Sequence, residues 1–348
     1  MFSSLYALFK WWFALVTLGW LFWPLAAIIF RHSPGKGYAY ARAFALMLLS
    51  YTYWLLGMGG VLPNSDGALW IVVAVFACLG LFYWWRQRRE MGRFLRRKWH
   101  YILAVEGLFL FTGALYAAYK VYQPPIRHTE QPMDFAFLNG ILRSARMPPN
   151  DPWLSGFSIS YYYFGYFTVA LMTRLSGIPS GIGYNLGLIH TLALTAVGAC
   201  GLLYDLLHDD EPENWPALAY AVAGGLALVF AGNLEGVLEL CRALGLGSRE
   251  FYRWIGVPGL ADAAVTSTWL PEGSWWWRAS RVIADANPFG KSSTVITEFP
   301  AFSFILGDLH PHVMALPYVV LALALARELY FAGREGLPAR WWRRPRWV

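Results

Sequence analysis

The sequence predicts an all-α polytopic membrane protein, and three observations carry that prediction. First, 57% of the 348 residues are apolar or aromatic and only 14% are charged, against about 25% charged in a soluble domain. Second, apolar runs long enough to cross about 30 Å of hydrocarbon recur along the chain. Third, the net charge of +7 is clustered beside those runs and not spread over a face. Residues 86–98 (RQRREMGRFLRRK) hold seven Arg or Lys against Glu90, and the C-terminal end holds Arg327, Arg334, Arg340, Arg343, Arg344 and Arg346. Such clusters read as cytoplasmic anchors under the positive-inside rule, which argues against nucleic-acid binding.

Taken in order, the candidate spans are 5–30, 38–62, 67–85, 100–122, 158–176, 183–207, 216–233 and 311–331, about eight in all. Each is apolar all round with aromatic residues near its ends, as an interfacial belt requires. The first reads as a retained span and not a cleaved signal, since no small-residue cleavage site follows it. Cys78, Cys200 and Cys241 lie in or beside apolar runs without metal spacing, so they read as packing residues.

With 86–98 cytoplasmic, segment 100–122 crosses outward and 123–157 is an outer loop. Segment 158–176 then returns, 183–207 leaves again, and the acidic stretch 208–215 (Asp209, Asp210, Glu211, Glu213) lies outside. Continuing, the Arg-rich tail ends on the wrong face, so one crossing is miscounted. The expected culprit is 216–247, broken at Gly232-Asn233 into two short or re-entrant pieces. The organisation expected is an N-terminal membrane part over 1–99, a membrane core over 100–331 with outer loops 123–157 and 248–310, and a basic cytoplasmic tail over 332–348.

Both outer loops hold chemistry-bearing residues. In the first, Pro132 starts an amphipathic stretch and Asp134 falls in its first turn, where the helix dipole favours a carboxylate. The alternative is that Asp134 is a general base at the water–lipid boundary, with Glu130 or Asp151 nearby. Asp151-Pro152-Trp153 also reads as a turn opener. The second loop ends in Glu298-Phe299-Pro300 and Gly307-Asp308-Leu309-His310-Pro311-His312. Pro311 suits the first turn of the next span, which Asp308 or His310 would cap. The same group could instead bind phosphate at a helix N-terminus. No cofactor is certain from the sequence, and a divalent metal on Asp308, His310 and His312 stays open. Tyr161, Tyr162 and Tyr163 open a span either as an aromatic belt or as a sugar-stacking groove. Asn233 and Glu235 stand at membrane depth, where polar groups tend to be paired or functional. Arg281 offers a cation for phosphate.

The ordered run Pro132-Met133-Asp134-Phe135, Pro149-Asn150-Asp151-Pro152-Trp153, Tyr161-Tyr162-Tyr163-Phe164-Gly165-Tyr166, Gly232-Asn233-Leu234-Glu235-Gly236, Ser280-Arg281-Val282-Ile283 and the Glu298 to His312 motif resembles the YYY-motif family. These are polytopic membrane proteins long labelled a domain of unknown function, and the resemblance covers roughly 100–330. That family is in turn similar to GT-C type membrane glycosyltransferases, which place an acid in the first long outer loop and use polyprenyl-phosphate sugars. The resemblance implies a multi-pass cell-membrane enzyme with a lipid-linked sugar donor and membrane lipids as its partners. Asp134 matches the first-loop acid, followed here by Phe135 and not by a second acid. His310, His312 and Arg281 would bind the donor phosphate, and Asp308 and Glu298 would orient the histidines. Two rivals share these features: a transporter or flippase of a lipid-linked or polar solute, and a non-catalytic envelope scaffold.

Overall fold

Helices account for nearly all of the regular structure in the computed structural model, which describes residues 2–208, 214–268, 271, 275–286 and 288–334. In chain order they are α1 (Phe2–Ile29), α2 (Ala41–Met58), α3 (Asp66–Arg97), α4 (Trp99–Tyr122), α5 (Gln131–Arg143), α6 (Phe164–Ser176), α7 (Ser180–Leu207) and α8 (Trp215–Phe230). There follow α9 (Glu235–Ala243), α10 (Arg249–Ile255), α11 (Trp275–Ala279), α12 (Pro300–Leu306) and α13 (Pro311–Arg334), with one antiparallel hairpin, β1 (Ile283–Ala286) and β2 (Ser292–Val295), before α12. The chain is an all-α polytopic membrane protein. It divides into two compact units, one of Met1–Leu228 with Asp308–Val348 and one of Val229–Gly307.

Five helices of the described residues are long and apolar enough to cross a membrane: α1, α3, α4, α7 and α13, or six if α8 and α9 make one broken span. That is fewer than eight for identifiable reasons. α2 falls short because Arg42 and the run Ser50-Tyr51-Thr52-Tyr53 lower its hydropathy. The 158–176 run shrinks to α6, whose 13 residues span only about 20 Å at 1.5 Å per residue. Gly177, at φ +58, stops it in the left-handed region that a side chain resists.

Hydrogen bonds define two ends of the first unit. At one end, Asp205 of α7 accepts from the Gly35 amide at 2.8 Å and the Tyr40 hydroxyl at 3.0 Å. Arg327 of α13 donates to the Asp205 carbonyl at 2.6 Å, Lys98 donates to Tyr204 at 3.1 Å, and His32 pairs with Glu328. The α1–α2 loop, the α3–α4 junction and the last turns of α7 and α13 thus meet at the end that carries the 86–98 basic run. At the other end, Asn64 donates to the carbonyls of Ile141 and Ser144 at 2.8 and 2.7 Å. Both flanks of α6 lie there too, Tyr163 accepting from Trp54 at 2.9 Å and Arg174 donating to the Leu142 carbonyl at 2.8 Å.

This corrects the expected topology. Because α6 begins and ends at the same end, it is not a crossing, so 158–176 is miscounted; the break expected at Gly232-Asn233 is present, between α8 and α9. α7 then runs toward the basic end, not away from it. His208, where the acidic stretch begins, accepts from Lys98 through Nε2 at 2.9 Å, so it lies beside the basic run. Asp209 to Glu213 and tail residues 335–348 lie outside the described residues. Arg327 of α13 reaches the basic end as well.

Packing inside this bundle follows the membrane rule that small residues let helices approach. A Cβ built on Gly80 of α3 would stand 2.2 Å from the Leu21 carbonyl oxygen of α1. A half-buried ion pair joins α2 and α4: buried Arg42 places Nη2 2.7 and 2.5 Å from the two Glu106 oxygens, and the Tyr38 hydroxyl donates to one of them at 2.7 Å. Truncating Glu106 to Ala leaves a buried guanidinium without its counter-charge, a loss of about 3–5 kcal/mol. A markedly lower melting midpoint in detergent is expected, largely restored when Arg42 is also replaced by Met; an unchanged single-variant midpoint would show the pair contributes nothing.

In the second unit, Asn233 accepts the Glu235 amide at 3.2 Å just before α9 and ties that turn to α11 by donating to the Ala279 carbonyl at 2.6 Å. Arg278 of α11 forks onto buried Glu239 at 2.5 and 2.9 Å. Phe302 of α12 packs its ring against Trp276 and Trp277 at 5.5 and 6.0 Å.

Candidate functional site

The site is built by α5, the first turns of α6, α7 and α13, and the loop before α5, all in the first unit. Pro132 in the first turn of α5 needs no amide partner there and fixes where the helix begins. The helix then turns Gln131, Asp134, Leu138 and Ile141 inward at spacings of three and four, and all four are buried. Glu130 precedes this stripe, and its side chain is 56% exposed.

Asp134 has no exposed surface. One carboxylate oxygen accepts the Tyr166 hydroxyl at 2.5 Å and the other the Tyr184 hydroxyl at 3.3 Å. The Tyr184 oxygen accepts in turn from the Leu309 amide at 3.0 Å. The carboxylate of the first loop is therefore tied to the chain segment just before α13, 175 residues later, through one phenol. Burial pushes Asp134 up to about 6; the Tyr166 hydroxyl and the His310 ring oppose the rise, and the Asp308 carboxylate adds to it.

Asp308 is also buried, and its two oxygens accept the Thr129 hydroxyl at 2.6 and 2.5 Å. Burial raises its pKa above the ordinary carboxylate value, against the pull of Thr129 and His310. His310 Nε2 lies 3.0 Å from Glu130 and 3.6 Å from Asp308. An imidazole between an exposed and a buried carboxylate can hold or pass a proton. Lys120, buried at the end of α4, is within electrostatic reach of Asp308.

Next to this cluster is a cavity of about 640 Å³ lined by Tyr161, Tyr162, Tyr163, Trp54, His312 and Tyr318. Tyr161 is stacked on Phe137 at 5.3 Å, while Tyr162 is 77% exposed. The aromatic run is thus divided by the start of α6: the three tyrosines face the cavity and Tyr166 faces Asp134.

Glu130, Asp134, Asp308 and His310 are brought together, with His312 and the three tyrosines alongside. Asp151 is elsewhere in chemical terms: its carboxylate accepts the amides of Trp153 and Leu154 at 2.7 and 2.9 Å, the turn-opening role. Asn233, Glu235, Arg281 and Glu298 belong to the second unit. There Arg281 lies over the Trp277 ring at 3.5 Å and donates to Ser280 Oγ at 2.6 Å, and Glu298 accepts from Ser303 at 2.9 Å. Buried Glu235 stands beside the Glu239 carboxyl. The sequence reading missed Thr129, Lys120 and Tyr184. Tyr184 and Lys120 carry no local signal, being single polar groups in apolar helices.

A family model described as an uncharacterized membrane protein, DUF2298, matches residues 48–345. No curated protein and no solved structure matches the chain.

Proposed function

The chain belongs to the DUF2298 family of membrane proteins, the YYY-motif family, and on that premise we propose that it is a cell-membrane glycosyltransferase using a sugar carried on a polyprenyl phosphate. The observation that carries this reading is the Glu130–His310–Asp308 cluster beside an aromatic cavity of about 640 Å³. Aromatic walls suit the apolar face of a sugar or an isoprenoid chain, and an acid–imidazole cluster suits proton removal from an acceptor hydroxyl.

Glu130, exposed, takes the acceptor proton. The acceptor oxygen bonds to the anomeric carbon as the bond from that carbon to the phosphate oxygen breaks, releasing the polyprenyl phosphate. His312, in the cavity wall, donates to the departing phosphate, and His310 orients Glu130. Asp134 does not touch substrate: its oxygens are engaged by tyrosines, and it positions Tyr184 and the Asp308–His310 segment. Asp308 and His310 are also close enough to share a divalent cation.

The test is purified chain in liposomes with a radiolabelled polyprenyl-phosphate sugar and a mixed acceptor extract. Label transferred to acceptor, with free polyprenyl phosphate formed in equal amount, is the expected result. Label moved across the bilayer with its phosphate bond intact would replace this reading by transport, and neither change would leave a scaffold. Loss of transfer in EDTA, recovered on adding back a divalent cation, would make the reaction metal-dependent.

A further inference from the structure

At the opposite end of the first unit from Asp134 is a second cavity, of about 550 Å³, lined by Arg31, Lys36, Arg93, Arg97 and Lys98 with Glu90 as its one carboxylate. We propose that it binds a phosphate group, carried by an anionic lipid or free in solution.

A basic run next to a span ordinarily radiates into solvent and the headgroup layer, with its charges apart. Here cations from two places in the chain converge on one concavity: the α1–α2 loop, with Arg31 and Lys36, and the end of α3 with the α3–α4 junction. Several of them are fixed in place before any ligand arrives. Lys36 has φ +46, in the left-handed region a lysine resists. Its turn is held by the Trp23 indole, which donates to the Lys36 carbonyl at 3.1 Å, and its own amine bonds the Arg31 carbonyl. Lys98 is steadied by Tyr204 at 3.1 Å and His208 at 2.9 Å. Arg93 and Arg97 stand one helical turn apart on α3, both exposed, and neither pairs with a carboxylate among the described residues.

The floor is apolar. Trp23 and Met91 are buried beneath the cations, and Ala27, Ile28 and Phe94 line the wall. Two arginine forks above such a floor suit a phosphate with its bidentate geometry, and the apolar wall suits the glycerol and first methylenes attached to it. Basic pockets between membrane helices recognise phosphate-headed lipids by this combination. The volume exceeds what inorganic phosphate alone would fill, so the lipid is the better fit of the two sources.

The experiment uses the full chain in phosphatidylcholine nanodiscs, with phosphatidylglycerol doped in or inorganic phosphate added, and reads retained lipid by native mass spectrometry and the melting midpoint. Two double variants carry the same loss of charge. Arg93→Gln with Arg97→Gln empties the cavity rim, whereas Arg86→Gln with Arg89→Gln removes neighbouring arginines that do not line it. Retention of phosphatidylglycerol weakened about tenfold or more by the first pair and little by the second is the expected result. Stabilisation by inorganic phosphate, lost only in the first pair, would hold the site but make the ligand soluble. Equal losses in both pairs, or no selective binding of either anion by the wild-type chain, would overturn the proposal and leave a solvated anchor. Wild-type melting of both variants in plain phosphatidylcholine separates this from misfolding.

Discussion

Glu130→Gln is expected to reduce sugar transfer by about two to four orders of magnitude while leaving the melting midpoint near that of the wild type. The side chain is 56% exposed and caps nothing with its carboxylate, so its loss opens no cavity. The amide keeps the shape and cannot take a proton. The effect should fall on kcat, with KM little changed, because the group acts on the reacting hydroxyl and not on donor binding. Glu130→Asp should recover part of the rate by restoring a base set back by one methylene. Full turnover by Glu130→Gln would remove it from the mechanism, and with it the preference for the exposed acid over the buried one.

Asp134→Asn separates the two acids in a different readout. The folded-state value of Asp134 is about 6, above its ordinary 3.8. Between those values the folded chain binds a proton that the unfolded chain has released. Stability from this group is therefore greatest at low pH, declines as pH rises from about 4 to about 6, and stays lower above that, a change of about 3 kcal/mol. Asn cannot titrate, so the difference in midpoint between variant and wild type should shift in the variant's favour as pH rises through this window. The tyrosine bonds it disturbs add an offset that does not vary with pH there. A difference that stays constant from about pH 4 to about pH 8 would mean that Asp134 does not carry the raised value. In the transfer assay this variant should lose activity by less than Glu130→Gln, since its oxygens hold tyrosines and not substrate.

The fold class was legible because hydropathy and charge clustering report directly on lipid. What hydropathy does not report is whether an apolar face meets lipid or protein. Residues 166–173 of α6 are all buried in the bundle, so a run that reads as a span is a short helix enclosed by its neighbours. That one misreading reversed the expected direction of α7. The site was partly legible: the two motifs that meet, around Asp134 and around Asp308, were both singled out. The phenol that joins them was not, because Tyr184 is one aromatic residue among many in an apolar helix.

α7 and α3 differ in a way that bears on how freely each can vary. The apolar window of α7 is 89% buried in protein, against 22% for α3. Most of the circumference of α3 asks only for oil-soluble side chains, and many sequences meet that demand. Nearly every position of α7 must instead fit a particular neighbour, as where a Cβ on Gly201 would come within 2.5 Å of Ala39. Saturation mutagenesis should therefore find α3 permissive on all but one face and α7 intolerant around its whole girth, so that drift within the family is concentrated in the first helix and nearly frozen in the second.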